Sequence, residues 1–221
     1  MLLDTTVLSR RVLMIISAMN LKGGVGKTTT AMSLATAAER EGKDVEVYDC
    51  DPQSSASFWA LLADQNDDSL PFPVTSANLA TVRRAGIKYR RDPNKWIFID
   101  CPPNGNIMDE AAEASDFVVI PTGPGAADVV KTIETARTLD GRGVFYGVLL
   151  TQVAANTLSF AKAQSEIEDN DLSYFDHQVR RREGLRNFFG NSFGDDLFGY
   201  EEIWEELKEI LRNDEEIHYA G

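Results

Sequence analysis

The sequence predicts an α/β protein in which a mostly parallel sheet is flanked by helices on both faces. Short apolar runs alternate with helical patterns along most of the chain, and the connections between them are short. Several apolar runs also end directly in Asp, Gly or Pro, as strands do at the ligand-binding edge of such a sheet. The length of 221 residues fits one domain. We expect that domain to span residues 12–221, after an N-terminal extension over residues 1–11.

The individual elements follow from apolar periodicity. The sequence predicts strands over residues 12–17, 45–49, 72–75, 96–100, 117–120 and 144–151. It predicts helices over 28–41, 54–63, 77–89, 107–114, 128–139, 158–167 and 201–211. In the helix over 54–63, Phe58, Leu61 and Leu62 share one side. Residues 170–198 follow neither period, so no element is predicted for them.

Composition and charge exclude several classes of protein. The formal net charge is -13, so binding to DNA or to an anionic membrane needs a local basic patch. No apolar run approaches the roughly 20 residues of a membrane span, and we expect a soluble, cytoplasmic protein. Cys50 and Cys101 have no metal-ligand spacing and are expected to be reduced core thiols.

A glycine-rich loop joins the first predicted strand to the first predicted helix, which is the context of a phosphate-binding loop. Its glycines let backbone N–H groups close around phosphates. Lys27 supplies a charge for the β- and γ-phosphates, and the Thr28 hydroxyl is placed to ligate Mg²⁺. The loop departs from the standard pattern, because Leu21 holds the position of its first glycine. The predicted nucleotide contacts are Lys22, Gly23, Gly24, Val25, Gly26, Lys27, Thr28 and Thr29.

Two predicted strands end in carboxylates at the edge where this loop lies. Asp100 fits the role of a Mg²⁺-positioning carboxylate that acts through a metal-bound water. Asp51 is a candidate for orienting or activating the water that attacks the γ-phosphate, and Asp49 is expected near the metal shell. The alternative for each is that an aspartate after a strand simply caps the next helix or starts a turn.

Together the three motifs resemble the deviant Walker ATPases of the ParA/MinD family, and most of all the short ParA-type partition proteins. The motifs are Lys22 to Thr29, Asp49-Cys50-Asp51-Pro52-Gln53 and Ile99-Asp100-Cys101-Pro102-Pro103. The resemblance implies that Lys22 is the signature lysine, which reaches the phosphates of a partner subunit. It implies phosphate and Mg²⁺ roles for Lys27 and Thr28, and makes Asp51 the aspartate needed for hydrolysis. Asp100 becomes the metal-side aspartate, and Thr151 falls near the adenine.

The resemblance also implies cofactors and partners. ATP and Mg²⁺ are the expected ligands, a homodimer forms on ATP, and a ParB-like centromere-binding protein stimulates hydrolysis. Nonspecific DNA is the expected track, with nucleoid association in the ATP-bound state. The segment before the loop is too short for a helix-turn-helix domain, and the acidic C-terminal helix argues against membrane binding. Gly125 and Gln152 depart from family preferences, which affects the adenine site only.

Two basic clusters are candidate DNA surfaces. The favoured one is Arg180, Arg181, Arg182 and Arg186, and the other is Arg83, Arg84, Lys88, Arg90, Arg91 and Lys95. Each can also be an ordinary solvated face. A second hypothesis is an ATP-switched positioning or regulatory protein of the same fold that acts on a protein partner without binding DNA. A metabolic P-loop enzyme is disfavoured, because no second-substrate signature is present.

Overall fold

The structure is a computed structural model that describes residues 13–89, 92, 94–154 and 157–219. The expected extension over residues 1–11 lies outside the described residues, as does Val12 at the start of the first predicted strand. Strands occur at β1 (Leu13–Ala18), β2 (Asp44–Asp49), β3 (Val74–Ser76), β4 (Lys95–Asp100), β5 (Phe117–Thr122) and β6 (Tyr146–Leu150). Helices occur at α1 (Lys27–Arg40), α2 (Ser55–Gln65), α3 (Leu79–Lys88), α4 (Asn106–Ala114), α5 (Ala126–Asp140), α6 (Leu158–Asp169), α7 (Glu183–Asn187) and α8 (Tyr200–Tyr219).

The described strands form one six-stranded sheet in the order β3-β2-β4-β1-β5-β6, and every pairing is parallel. The predicted fold class is therefore confirmed. The chain leaves β1 toward one edge of the sheet and later crosses to the other edge through β5. Such a switch point opens a crevice at the carboxyl ends of the central strands, and the phosphate loop starts there.

Helices cover both faces because the apolar strands alternate their side chains between two cores. Along β4, Trp96 and Phe98 point into a core formed with α1, α2 and α8, while Ile97 and Ile99 point into a second core formed with α3 to α6. All six residues of β4 are buried. This double burial explains why the strand reads as a continuous apolar run.

The C-terminal helix is longer than predicted and packs on the first core. Its apolar stripe, including Ile203, Trp204 and Leu207, is buried, and Trp204 meets Trp96 edge-on with ring centroids 4.9 Å apart. The hydroxyls of Tyr200 and Thr30 are 2.9 Å apart and join α8 to α1. The acidic face stays outward, as the amphipathic pattern predicts. None of the described helices is long and apolar enough to cross a membrane.

Helix α2 presents an apolar side to solvent. Phe58 and Leu61 are 50% and 51% exposed, whereas Trp59, Ala56 and Ala63 face the core. The large side chain of Trp59 fills the space beneath the helix, so Phe58 and Leu61 are left on the outside. The shared side of Phe58 and Leu61 is thus a surface feature and not part of the core.

Candidate nucleotide site

The loop between β1 and α1 has the backbone that a phosphate cradle requires. Gly24 and Gly26 adopt φ angles of 77° and 98°, which side chains with a Cβ rarely tolerate. Gly26 is the N-cap of α1 and has no capping side chain, so no side chain occupies the amide groups at the start of this helix. A helix N-terminus with open N–H groups favours an anion.

The loop is held from the end of β6. Thr151 is buried and donates its hydroxyl to the carbonyl of Val25 at 2.9 Å, while the Gln152 amide donates to the carbonyl of Gly24 at 3.0 Å. Sequence reasoning gave Thr151 an adenine contact and treated Gln152 as a departure. The structure adds that both side chains fix the shape of the phosphate loop.

Lys27 is a buried cation beside two carboxylates. Its side chain is 7% exposed, and its ammonium donates to the carbonyl of Lys22 at 2.9 Å. Burial lowers the pKa of Lys27, and the negative charges of Asp100 and Asp51 oppose that shift. The hydrogen-bond partner of this buried ammonium is a neutral carbonyl, so a bound polyanion such as a phosphate chain would stabilise its charge.

Asp100 lies at the end of β4 and is 1% exposed. One carboxylate oxygen accepts the Thr28 hydroxyl at 2.6 Å, and the other is buried with no hydrogen-bond partner among the residues that the structure describes. Burial raises the pKa of Asp100 to about 7, with further upward contributions from Asp49 and Asp51. A buried carboxylate oxygen in this position is an available acceptor for a cation or a hydrogen-bond donor.

These residues fit Mg²⁺. A threonine hydroxyl and a carboxylate oxygen without a partner are hard oxygen donors, and Mg²⁺ takes few protein ligands alongside phosphates and water. Within the described ranges, no group of three or more His, Cys, Asp or Glu residues could hold a metal by itself. The ion would neutralise phosphate charge when bound. Thr28 and Asp100 are the residues that would hold it.

Asp49 has a different environment, although it is the strand neighbour of Asp100. One of its oxygens accepts the backbone N–H of Asp51 at 3.2 Å, and the other accepts that of Ser57 at 2.8 Å. Ser57 is in the first turn of α2, and the N-cap residue Ser54 makes no side-chain cap. Asp49 therefore caps α2 from outside the helix, which matches the structural alternative for this residue. Its proximity to the metal shell remains a prediction.

Asp51 lines the cavity beside the loop. Its Oδ1 accepts the backbone N–H of Gln53 at 2.9 Å, and its carbonyl accepts that of Ser54 at 2.8 Å. This turn holds the carboxyl group beside the space that the phosphate loop encloses. The arrangement suits a residue that positions water, which remains a prediction for Asp51.

A cavity of about 600 Å³ lies between the phosphate loop, Asp51 and a wall that sequence reasoning missed. Trp59, Leu185, Phe189 and Tyr200 contribute apolar surface to this wall, and Gln53 and Pro103 also line the cavity. Leu185 and Phe189 come from residues 170–198, which carry no helical or strand period. The aromatic pair Phe188-Phe189 was the available signal, because large apolar residues in an irregular segment need something to pack against.

The arginines predicted to bind DNA line the same cavity. Arg180, Arg181 and Arg182 are exposed, and none of them forms an ion pair within the part of the chain that the structure describes. The N–H of Arg181 donates to the carbonyl of Val153 at 2.9 Å, which brings the segment to the carboxyl edge of the sheet. Arg186 belongs to α7, but its side chain lies outside the described residues.

The second basic cluster is largely occupied by internal contacts. Arg83 forms an ion pair with Glu110, and Lys95 is buried between Asp44 and Glu46 at 3.2 and 3.6 Å. Lys88 contacts the Tyr89 hydroxyl. Arg90 and Arg91 lie outside the described residues. Of the members that the structure describes, only Arg84 is an exposed cation with no ion pair or hydrogen bond of its side chain.

Comparison with known proteins identifies the family. A profile described as the CobQ/CobB/MinD/ParA nucleotide binding domain matches residues 16–191. The chain belongs to this family. The ParA/MinD resemblance of the three motifs is thereby confirmed, and ATP hydrolysis is the general kind of reaction of these P-loop ATPases.

Individual relatives point to two biological roles. The "Maintenance of carboxysome distribution protein A" of Gloeobacter kilaueensis is 33% identical over 177 residues, covering 75% of this chain and 76% of that protein. The "Chromosome-partitioning ATPase Soj" of Thermus thermophilus is 30% identical over 185 residues, covering 69% and 74%. A Cyanothece McdA variant in complex with ATP superposes with a TM-score of 0.68 and 21% identity, covering 89% of this chain and 97% of that one. At that identity the structural likeness shows the fold alone.

Proposed function

We propose that this protein is a Mg²⁺-ATP-dependent partition ATPase with weak intrinsic hydrolysis. ATP joins two copies into a sandwich dimer, and the dimer binds nonspecific DNA. A ParB-like centromere-binding partner stimulates hydrolysis and releases the DNA. The observation that carries the proposal is the convergence at one cavity of the buried Lys27, the open end of α1 and Thr28, whose hydroxyl bonds to the buried Asp100.

Each predicted residue has one task in this proposal. The loop amides and Lys27 bind the phosphates, and Thr28 with Asp100 holds Mg²⁺. Asp51 orients the attacking water. Lys22 is 42% exposed at its side chain and is not part of the cavity wall, which suits a lysine that serves the nucleotide of a partner subunit. Such a lysine makes dimerisation depend on the γ-phosphate, because its ligand is present only in the ATP state.

DNA binding would rest on Arg180, Arg181 and Arg182. A protein with a net charge of -13 has no general attraction to DNA, so a local patch must be strong enough to act alone. Dimerisation doubles the patch, and the counterions released by phosphate contacts add up. This explains how an acidic cytoplasmic protein associates with the nucleoid only when ATP is bound.

The first test measures oligomeric state and ATPase rate with and without duplex DNA and a candidate partner. We expect the wild type to dimerise with Mg²⁺-ATP and not with ADP, and to hydrolyse ATP faster with both additions. Lys22→Ala should bind nucleotide with ordinary affinity yet lose dimerisation or hydrolysis. A Lys22→Ala variant that dimerises and hydrolyses normally contradicts the cross-subunit role.

The second test must separate DNA contact from nucleotide contact, because the arginines line the nucleotide cavity. The triple variant Arg180→Ala, Arg181→Ala, Arg182→Ala is compared with Arg84→Ala in the other cluster. We expect the triple variant to lose ATP-dependent, salt-sensitive DNA binding while its ATP affinity changes little, and Arg84→Ala to bind normally. Lost ATP affinity would instead assign the arginines to the nucleotide, and unchanged DNA binding would remove them from the DNA surface.

A second candidate function is an ATP-switched positioning protein that acts on a protein partner without DNA. The name of the Gloeobacter relative, a protein that maintains carboxysome distribution, favours it. The two candidates differ in one measurement. ATPase stimulation by a protein partner that is equal with and without DNA, together with no DNA binding by either basic cluster, supports the positioning role.

A further inference from the structure

One face of α5 forms hydrogen bonds with the residues at the start of the phosphate loop. Asp128, Thr132 and Thr135 are spaced by four and three residues and therefore share this face. The Asn20 amide donates to the Thr132 hydroxyl at 2.9 Å, and the N–H of Leu21 donates to the Thr135 hydroxyl at 3.2 Å. All but Leu21 and Asp128 are fully buried. The backbone that leads into Lys22 is therefore fixed to this helix.

Lys22 continues the same network. Its N–H donates to the Asn20 side-chain oxygen at 2.8 Å, and its carbonyl accepts the Lys27 ammonium at 2.9 Å. Its own ammonium lies 4.0 Å from a carboxylate oxygen of Asp128. Within one subunit, the side-chain tip of Lys22 thus pairs with α5, and its backbone is linked to that helix through Asn20.

The carboxylate of Asp128 occupies space that side chains at Gly123 and Gly125 would fill. A Cβ added at Gly123 would come within 2.7 Å of its second oxygen, and one at Gly125 within 3.1 Å. Asp128 is also in the first turn of α5, where a negative charge is favoured. The absence of side chains at both glycines lets this carboxylate sit against the segment that precedes the helix.

We propose that Asp128 is a positioning residue for Lys22. The Asp128 carboxylate holds the Lys22 ammonium within its own subunit. The γ-phosphate bound to a partner subunit then replaces Asp128 as the partner of that ammonium. The inference rests on the proposed cross-subunit role of Lys22 and adds the group with which the phosphate competes. Asp128 would then weaken the dimer and make its formation more dependent on ATP, because the Asp128–Lys22 ion pair must break before Lys22 can pair with the γ-phosphate.

The effect is modest because the pair is partly solvated, with side-chain exposures of 42% and 28%. Asp128→Asn keeps the shape of the side chain and removes its charge. We expect this variant to dimerise on Mg²⁺-ATP with a dissociation constant about two- to five-fold lower than wild type in low salt. The gain should fade above roughly 0.5 M salt, where exposed ion pairs are screened.

Glu134→Gln is the matched control. Glu134 lies on the same helix, pairs with Lys131 at 2.6 Å and carries the same charge, but it does not contact Lys22. It should leave dimerisation unchanged.

A direct readout does not depend on dimerisation. In the nucleotide-free protein at low salt, acetic anhydride should modify Lys22 about twofold faster in Asp128→Asn than in wild type or Glu134→Gln, as followed by mass spectrometry. An unchanged rate overturns the inference. If Lys22 reacts faster in Asp128→Asn but the wild type does not dimerise on ATP, the Asp128–Lys22 contact is supported and the proposed function is overturned. Normal wild-type dimerisation with no gain in Asp128→Asn overturns the competition.

Discussion

The ends of β2 and β4 look alike in the sequence and differ in the structure. Asp49 and Asp100 are register partners on neighbouring parallel strands, and each is followed by a cysteine. Asp49 receives two backbone N–H donors, whereas Asp100 receives one hydroxyl and has one buried oxygen with no partner in the described part of the chain. The number of donors that surround a carboxylate, and not its place at the end of a strand, separates a structural group from a group prepared for a cation.

The largest expected effect of this difference is on stability. Asp49→Ala removes the acceptor for the N–H groups of Ser57 and Asp51 in a buried place, and we expect the free energy of unfolding to fall by about 3 kcal/mol. Ser54→Ala is the control, because Ser54 occupies the N-cap position but makes no capping bond. It should change stability by less than about 0.5 kcal/mol. Urea denaturation measures both, and equal losses would mean that Asp49 does not cap α2.

This pair also shows how far sequence reasoning reached. The strand-loop-helix context predicted the sheet, its helices on both faces and the meeting of Lys27, Thr28 and Asp100, because strand order forces carboxyl ends together. Apolar periodicity could not separate the roles of Asp49 and Asp100. The backbone N–H donors of Asp51 and Ser57 decide the role of Asp49, and periodicity does not show where such donors point. The arginines at the cavity were missed as nucleotide neighbours, because an irregular segment leaves no periodic trace.

Replacing Asp100 should raise the free energy of unfolding, whereas replacing Asp49 should lower it. The pKa of Asp100 in the folded protein, about 7, lies above the ordinary aspartate value of 3.8. The folded state therefore binds the proton more tightly, and stability falls as pH rises between these values. With EDTA and no nucleotide at pH 8, Asp100→Asn removes a buried charge, and we expect the variant to be more stable than wild type by about 2 kcal/mol. The advantage should shrink at pH 5, where the wild-type carboxyl is already protonated.

The same variant should lose Mg²⁺-ATP hydrolysis, because a neutral amide is a poorer Mg²⁺ ligand than a carboxylate. Urea denaturation at both pH values and a phosphate-release assay give the two readouts. A variant that is less stable than wild type at pH 8 would show that Asp100 serves the fold as Asp49 does, and the contrast between the two strand ends would disappear.

The smallest effect concerns the cysteines that follow the two aspartates. Both are free, with Cys50 5% exposed and Cys101 fully buried. Burial is the main cause that raises the pKa of the Cys50 thiol to about 12 and holds the pKa of the Cys101 thiol well above its usual value. Alkylation of either thiol therefore requires local opening, and we expect native rates at least about 100-fold below those in urea. Cys50 should react first, because it is less completely buried and adjoins the turn at Asp51, and mass spectrometry of the labelled peptides would follow both. Equal native rates would mean that the ends of β2 and β4 open together.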